Sequence, residues 1–308
     1  MEDRLRFPPS PTQDITKVLG LDRAQVGLCL KRDDLIDAEI TGNKARKLKY
    51  NCDEVARLGF PKVVTVGGAY SNHLLATAVA GARLGFSTIG LVRGEEHLPL
   101  NEILAEAKDR GMTFEYIDRT RYRDRNSDQF IQWIHDEFGS DCFYVPEGGS
   151  NCLGLKGAAE IVPEITEPFD VICCSCGTGG TLAGIVTALP PQARAIGISA
   201  LKGGEFLVSD VERLLTTCRK VASGPWEINT EFHFGGFAKQ PQELRDFAAD
   251  FAGRTGIDLD PVYEGKMMFG LLAMIRRGDF PSGTTIVAVH GGGGSSGGPV
   301  HSTGSRLS

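Results

Sequence analysis

The sequence predicts an α/β fold, with helices covering both faces of parallel sheets, and two observations carry that prediction. First, short apolar runs end in glycine: VVTVGG (63–68), FYVPEGG (143–149), VICCSCGTGG (171–180) and TTIVAVHGGGG (284–294). Such runs read as buried parallel strands that stop at glycine turns. Second, helical patterns stand between them. Residues 73–84 (HLLATAVAGARL) are rich in alanine and leucine and lead into Gly85, a C-cap candidate. Residues 100–110 are amphipathic and stop at Gly111, and residues 182–189 end at Pro190-Pro191. Strand, glycine turn and helix in repeated succession indicate an α/β architecture. Ligands in such folds bind beyond the carboxyl ends of the strands, so the glycine turns mark the candidate site.

Composition narrows the function classes. The 308 residues suffice for two modest domains or one large one, and 41% hydrophobic with 23% charged residues is ordinary for a soluble protein. A net charge of −6 argues against nucleic acid as a partner, which would demand a basic stripe. No apolar run approaches the roughly 20 residues of a membrane span. The segment MEDRLRFPPSPTQD has no apolar core and does not read as a secretory signal. Most of the eight cysteines sit singly in apolar stretches, unlike a disulfide framework, and point to a reducing cytoplasm. The CCSC cluster (173–176) has no second Cys or His pair at zinc-like spacing and reads as small buried residues ending a strand. No repeat is evident, and the Gly/Ser-rich residues 291–308 read as a flexible tail.

Four motifs can carry chemistry. Thr41-Gly42-Asn43-Lys44-Ala45-Arg46-Lys47-Leu48 concentrates three basic residues. It is either a solvated helix start or an amine that forms a Schiff base beside a phosphate-binding cation. On a helix Lys44 and Lys47 share a face. Gly67-Gly68-Ala69-Tyr70-Ser71-Asn72-His73 turns from strand to helix, a natural anion site, although Ser71 or Asn72 could serve only as the N-cap. Ser175-Cys176-Gly177-Thr178-Gly179-Gly180-Thr181 allows backbone amides to approach a phosphate. It has neither the Gly-Lys-Ser/Thr ending of an NTPase loop nor the dinucleotide register, so a phosphate monoester fits better. Asp260-Pro261-Val262-Tyr263-Glu264-Gly265-Lys266 is either an acidic helix start or the source of a carboxylate for a protonated pyridine ring.

Together these motifs, with ALKGGEFL (200–207), resemble the ACC deaminase/D-cysteine desulfhydrase family, ACC being 1-aminocyclopropane-1-carboxylate. This family belongs to the fold type II (tryptophan synthase β-like) pyridoxal phosphate (PLP) enzymes, and the resemblance runs from about residue 31 to 290. It implies that Lys44 is the Schiff-base lysine and Lys47 a phosphate contact. Asn72 matches the residue that bonds the phenolic oxygen of PLP. Ser71, Asn72 and His73 match the turn that receives the substrate carboxylate, with Ser71 near the reacting carbons. Gly177, Thr178, Gly179, Gly180 and Thr181 match the phosphate cup, with Cys176 leading into it. Tyr263 matches an active-site phenol and Glu264 the ring-nitrogen partner. The sequence departs from the family in three places: Tyr70 replaces a common glutamine, Phe237 replaces a common second tyrosine, and His290-Gly291-Gly292 replaces His-Thr-Gly-Gly. Tyr70 and Phe237 are expected beside the substrate.

The resemblance implies two doubly wound α/β domains with the active site in the cleft between them. The expected division is a large PLP-binding domain (1–46 and 157–308) and a small inserted domain (47–156). The expected enzyme is a cytoplasmic homodimer acting on a small amino acid, with no metal, membrane or nucleic acid. Its expected reaction is D-cysteine desulfhydrase-type β-elimination to pyruvate, ammonia and hydrogen sulfide, with Lys44 removing the Cα proton. ACC deaminase activity, giving 2-oxobutyrate and ammonia through Ser71 and Tyr263, is the alternative. A cysteate sulfo-lyase and a non-catalytic PLP-binding protein stand further off.

Overall fold

The computed structural model of the chain describes residues 5–292. In chain order its elements are β1 (Thr12–Asp14), β2 (Gly27–Lys31), α1 (Asn43–Leu58), β3 (Lys62–Gly67), α2 (Asn72–Leu84), β4 (Ser87–Arg93), α3 (Glu102–Asp109), β5 (Met112–Ile117), α4 (Arg119–Arg123), α5 (Asp128–Phe138), β6 (Cys142–Val145), α6 (Cys152–Ala159), β7 (Val171–Cys176), α7 (Gly180–Val186), β8 (Arg194–Ser199), α8 (Phe206–Thr217), β9 (Trp226–Asn229), α9 (Gln242–Thr255), α10 (Glu264–Arg277) and β10 (Thr285–Val289). The four glycine-ended runs are β3, β6, β7 and β10, and the helical stretches give α2, α3 and α7. Gly85 closes α2 in the left-handed conformation (φ 80°). The tail expected to be flexible lies, from residue 293, outside the described residues.

The strands form two sheets. One has the order β1-β2-β10-β7-β8-β9, parallel except for β1 against β2, and the other is parallel throughout in the order β5-β4-β3-β6. Continuous apolar strands are buried on both faces, and the side-chain period of two divides them. On β10, Ile286 and Ala288 pack with Met267 and Leu271 of α10, while Val287 and Val289 pack with Leu182 and Ile185 of α7. On β3, Val63 packs with Val55 and Val79, while Val64 and Val66 meet Phe130 and Ile134. Each such side chain contributes about 1.5–3 kcal/mol when fully buried.

Three helices are drawn together by small residues. A Cβ on Gly157 would lie 1.9 Å from the Arg46 carbonyl oxygen, and one on Gly184 would lie 2.5 Å from the Ala158 Cβ. Helix α6 is thereby wedged between α1 and α7. The start of α1 is anchored from below by Arg46, whose Nε lies 2.6 Å from Asp33 Oδ2 and whose Nη2 lies 2.7 Å from Glu164 Oε2. Glu164 also pairs with Lys31 at 2.8 Å.

One expectation about cysteine needs correction: Cys152 and Cys218 form a disulfide. Their 66-residue separation gave no spacing signal, but α6 begins where α8 ends, which brings their Cα atoms to 5.3 Å. The other six cysteines are free, and CCSC lies on β7.

Candidate active site

A cleft of about 1870 Å3 opens at the carboxyl ends of β3 and β7. The first turn of α1 supplies its two lysines. Gly42 precedes that turn with φ 61°, where a Cβ would fall 1.4 Å from the Gly291 carbonyl oxygen, so the chain passes there only as glycine. The same carbonyl accepts from the Asn43 N–H at 3.1 Å. Lys44 Nζ lies in the cleft 2.5 Å from Asn43 Oδ1. Burial lowers its pKa to about 8, against the pull of the Glu264 and Asp260 carboxylates. Lys47, one turn on, is 3% exposed. Burial and the Lys44 charge take it down to about 7, and no carboxylate pairs with it among the described residues.

The Lys47 ammonium reaches the start of α7. A Cβ on Gly180 would lie 3.0 Å from Lys47 Nζ and 2.4 Å from Ser150 Oγ. Gly179 is left-handed (φ 74°), and Thr178 Oγ1 lies 2.7 Å from Ser150 Oγ. This loop therefore gathers hydroxyls, first-turn amides and a cation around one hollow, a combination suited to a phosphate. Thr181 sits in the first turn of α7 and is buried at the cleft wall. Cys176 belongs elsewhere: its side chain is buried in the core, which raises its pKa to about 12, so only its backbone is available to the loop.

Across the cleft, the turn after β3 presents Ser71 at the N-cap position of α2. Its hydroxyl makes no capping bond, which leaves it for the cleft, and Gly67 makes room for it: a Cβ there would lie 2.7 Å from Ser71 Oγ. Asn72 opens the helix on the cleft side. His73 turns inward and is 2% exposed. Its Nε2 lies 2.9 Å from Thr65 Oγ1, which donates to the Val145 carbonyl at 2.8 Å. Burial and the two lysine charges hold His73 well below the usual histidine pKa, so it braces the turn as a neutral ring. Tyr70, 68% exposed, stands at the rim.

The other end of the cleft is acidic. Tyr263 precedes α10 and lies against Gly177, where a Cβ would be 2.8 Å from its Cε1. Phe237 packs edge-on to it, with ring centroids 5.9 Å apart. Glu264 is 1% exposed. Its Oε1 accepts from Ser175 Oγ at 2.8 Å, while Oε2 is buried without a hydrogen-bond partner. Asp260 accepts from the N–H groups of Val262, Tyr263 and Glu264, and burial with the neighbouring Glu264 charge pushes its carboxyl up to about 7. Asn43, Ser150, Ser175, Asp260 and His290 carry parts of this geometry that the motifs did not assign. Only Asp260, fixed before Pro261, had a local signal; Ser150 meets Thr178 across 28 residues of sequence.

A bifunctional D-cysteine desulfhydrase/1-aminocyclopropane-1-carboxylate deaminase of Arabidopsis thaliana, a mitochondrial protein, is 31% identical over 291 residues, covering 86% of this chain and 72% of that protein. A D-cysteine desulfhydrase of Yersinia enterocolitica is 30% identical over 287 residues, covering 86% of each. The crystal structure of an ACC deaminase homologue superposes with a TM-score of 0.80 at 29% identity, covering 93% of this chain and 90% of that one. The pyridoxal-phosphate dependent enzyme family matches residues 9–292, so the chain belongs to that family.

Proposed function

We propose that this PLP-dependent lyase performs D-cysteine desulfhydrase-type β-elimination, releasing pyruvate, ammonia and hydrogen sulfide. The residues fit the cofactor on three observations: a buried Lys47 amine with no carboxylate partner among the described residues, a bare Gly180 backbone whose Cβ would collide with Ser150 Oγ and Lys47 Nζ, and a buried, partnerless Glu264 Oε2. In this reading Lys44 bonds the aldehyde carbon. Lys47, Thr178 and the amides of 177–181 hold the phosphate, Asn72 the phenolic oxygen and Glu264 the ring nitrogen. When bound, the cofactor supplies an electron sink for the substrate's α-carbon.

The single observation that carries the choice of reaction is the Lys44 amine. It lies inside the cleft between the Lys47 and Glu264 ends, 2.5 Å from Asn43 Oδ1, and burial lowers its pKa, so that once a substrate's amino group had displaced it the amine could take a Cα proton. Ser71 and the amides of its turn orient the substrate carboxylate. ACC has no Cα proton and needs another activated group. Burial raises the Tyr263 phenol well above its usual pKa, with Asp260 and Glu147 adding to the shift, and no described base bonds Ser71 Oγ. Deamination of ACC is the second reading, favoured by the two activities in the name of the Arabidopsis relative.

The test is to offer the holoenzyme D-cysteine, L-cysteine, β-chloro-D-alanine, cysteate and ACC, and to measure sulfide and 2-oxo acid. Sulfide and pyruvate in equal amounts from D-cysteine support the proposal. Preferential 2-oxobutyrate from ACC would replace it with the second reading.

The proposal extends to a homodimer in the cytoplasm with residues 47–156 as the small domain. The separate sheet of β3–β6 supports the domain and the family resemblance the dimer and compartment, while the Cys152–Cys218 disulfide weighs against a reducing compartment. Sedimentation and localisation of a tagged chain test it.

A further inference from the structure

His290, at the end of β10, is 4% exposed and was assigned no task by the motifs. Its Nε2 lies 3.0 Å from the Asp258 carbonyl oxygen. A carbonyl only accepts, so Nε2 carries a proton. Its Nδ1 is buried without a hydrogen-bond partner and faces Glu264 Oε2 at 3.8 Å, an atom that also has none. In a neutral ring, Nδ1 would turn a lone pair toward the buried Glu264 Oε2, leaving two acceptors opposed with no donor between them. A second proton on the ring resolves both.

We propose that His290 is a positioning residue: as an imidazolium it pairs through Nδ1 with Glu264 Oε2 and holds that oxygen in place at the ring-nitrogen end of the cleft. The proposal rests on the reading of Glu264 as the ring-nitrogen partner. Asp260, four residues before it, is a second buried acid, pushed up to about 7 by burial and the Glu264 charge, so it supplies no counter-charge. Lys44, the other cation near it, is committed to the cofactor's aldehyde carbon. The groups facing His290 agree in sign. Burial favours its neutral form, but Glu264 and Asp34 together outweigh both burial and the Arg32 charge, and its pKa is raised. Asp34 Oδ2 lies 3.9 Å from Nε2. A carboxylate oxygen has two lone pairs, so Oε2 can take His290 on one side and a ring N–H on the other.

Two measurements on the full chain test this. The first follows the histidine Cε1 resonances against pH by NMR, with His290 assigned from its own variant. Wild type should titrate above the ordinary value of about 6.5, and Glu264→Gln should lower the midpoint, because only Asp34 then opposes burial and the Arg32 charge. A wild-type midpoint below 6.5 overturns the proposal without reference to any variant.

The second is a double-mutant cycle on PLP affinity, read by fluorescence. His290→Asn should weaken binding by about tenfold when Glu264 is present and change nothing in the Glu264→Gln background. Equal losses in both backgrounds mean that His290 does not act through Glu264, and the proposal fails. If the titration behaves as expected but Glu264→Gln leaves cofactor affinity and visible absorbance unchanged, the ion pair stands and the ring-nitrogen reading of Glu264 falls.

Discussion

Replacing Gly157 by alanine should dislocate the lysine-bearing helix from the phosphate loop. Two effects compete. Alanine is preferred over glycine in a helix interior by about 1 kcal/mol, which favours the variant. Against this, the new Cβ would lie 1.9 Å from the Arg46 carbonyl oxygen and 2.7 Å from its carbonyl carbon. Both are backbone atoms within α1, and Arg46 is tied to Asp33 and Glu164. Reaching an ordinary contact of 3.4 Å means separating α1 from α6 by about 1.5 Å. Overpacking of this kind costs about 1–3 kcal/mol, and more where backbone must yield, so the steric term wins. The expected net loss is about 1–2 kcal/mol, or a drop in Tm of roughly 2–8 °C by differential scanning calorimetry. Because Lys44 and Lys47 ride on α1, PLP affinity should fall by tenfold or more, a 1 Å misplacement being enough to disable a site. Gly253→Ala on α9 is the control. Nothing lies within 4 Å of a Cβ there, so it should gain up to about 1 kcal/mol and leave cofactor affinity unchanged. If the two variants melt and bind alike, the close approach of α1 and α6 is not what positions the lysines.

Lys44→Ala should abolish both turnover and the visible absorbance of the bound cofactor, and survival of both would remove Lys44 from the chemistry. Phe237→Tyr places a phenol beside Tyr263 and should raise kcat/KM for ACC relative to D-cysteine several-fold; a parallel rise for both substrates would show that the hydroxyl confers no selectivity. Asp260 has a pKa near 7 when folded against 3.8 as the ordinary value. The folded chain thus holds a proton that the unfolded chain has lost, and this contribution to stability fades as pH rises from about 4 to about 7. Urea unfolding at pH 5 and pH 8 should show a smaller difference in Asp260→Asn than in wild type, and equal differences would contradict the assigned shift. Cys152→Ser opens a loop of 66 residues and should cost about 4 kcal/mol under oxidising conditions, with no further loss on adding reductant.

The parts of this fold that were legible in the sequence are those decided locally. A buried parallel strand must be apolar on both faces and must end where the chain turns, so VVTVGG and VICCSCGTGG betray β3 and β7 before any contact is known. The edge strand β9, only four residues long and half exposed, carries no such run and was not readable. The end of α7 was misjudged by three residues. It stops at Val186 rather than at the proline pair because Thr187 Oγ1 bonds back to the Gly184 carbonyl at 2.8 Å and the chain leaves in a turn. Within the site, the period of two on β7 separates neighbours that a motif treats alike. Ser175 faces Glu264 while Cys176 faces the core. His73 likewise belongs to a motif by sequence but is drawn under the turn by Thr65, a residue of the preceding strand. The contacts that complete the cleft, Ser150 to Thr178 and His290 to Glu264, join elements far apart in the chain, and no local pattern encodes them.

On the proposed reading, the arrangement of charge also favours one orientation of the cofactor over the other. Among neighbouring charges, Lys44 acts most strongly on Lys47, while Glu264 and Asp260 act on Lys44. Lys44 therefore stands between a cationic end, where Lys47 meets the start of α7, and an anionic end, where the two carboxylates open α10. A molecule with a phosphate at one end and a basic ring nitrogen at the other gains at both ends in one orientation and loses at both in the reverse. In that orientation Lys44, between the two ends, would be the residue to meet its aldehyde. The two ends are built on different helices, α7 and α10, whose starts are set by Gly177, Gly179 and Gly180 and by the Asp260 carboxyl. Either end can accordingly be weakened alone, and loss of the phosphate end should cost mainly affinity, whereas loss of the carboxylate end should cost mainly the electron withdrawal on which turnover depends.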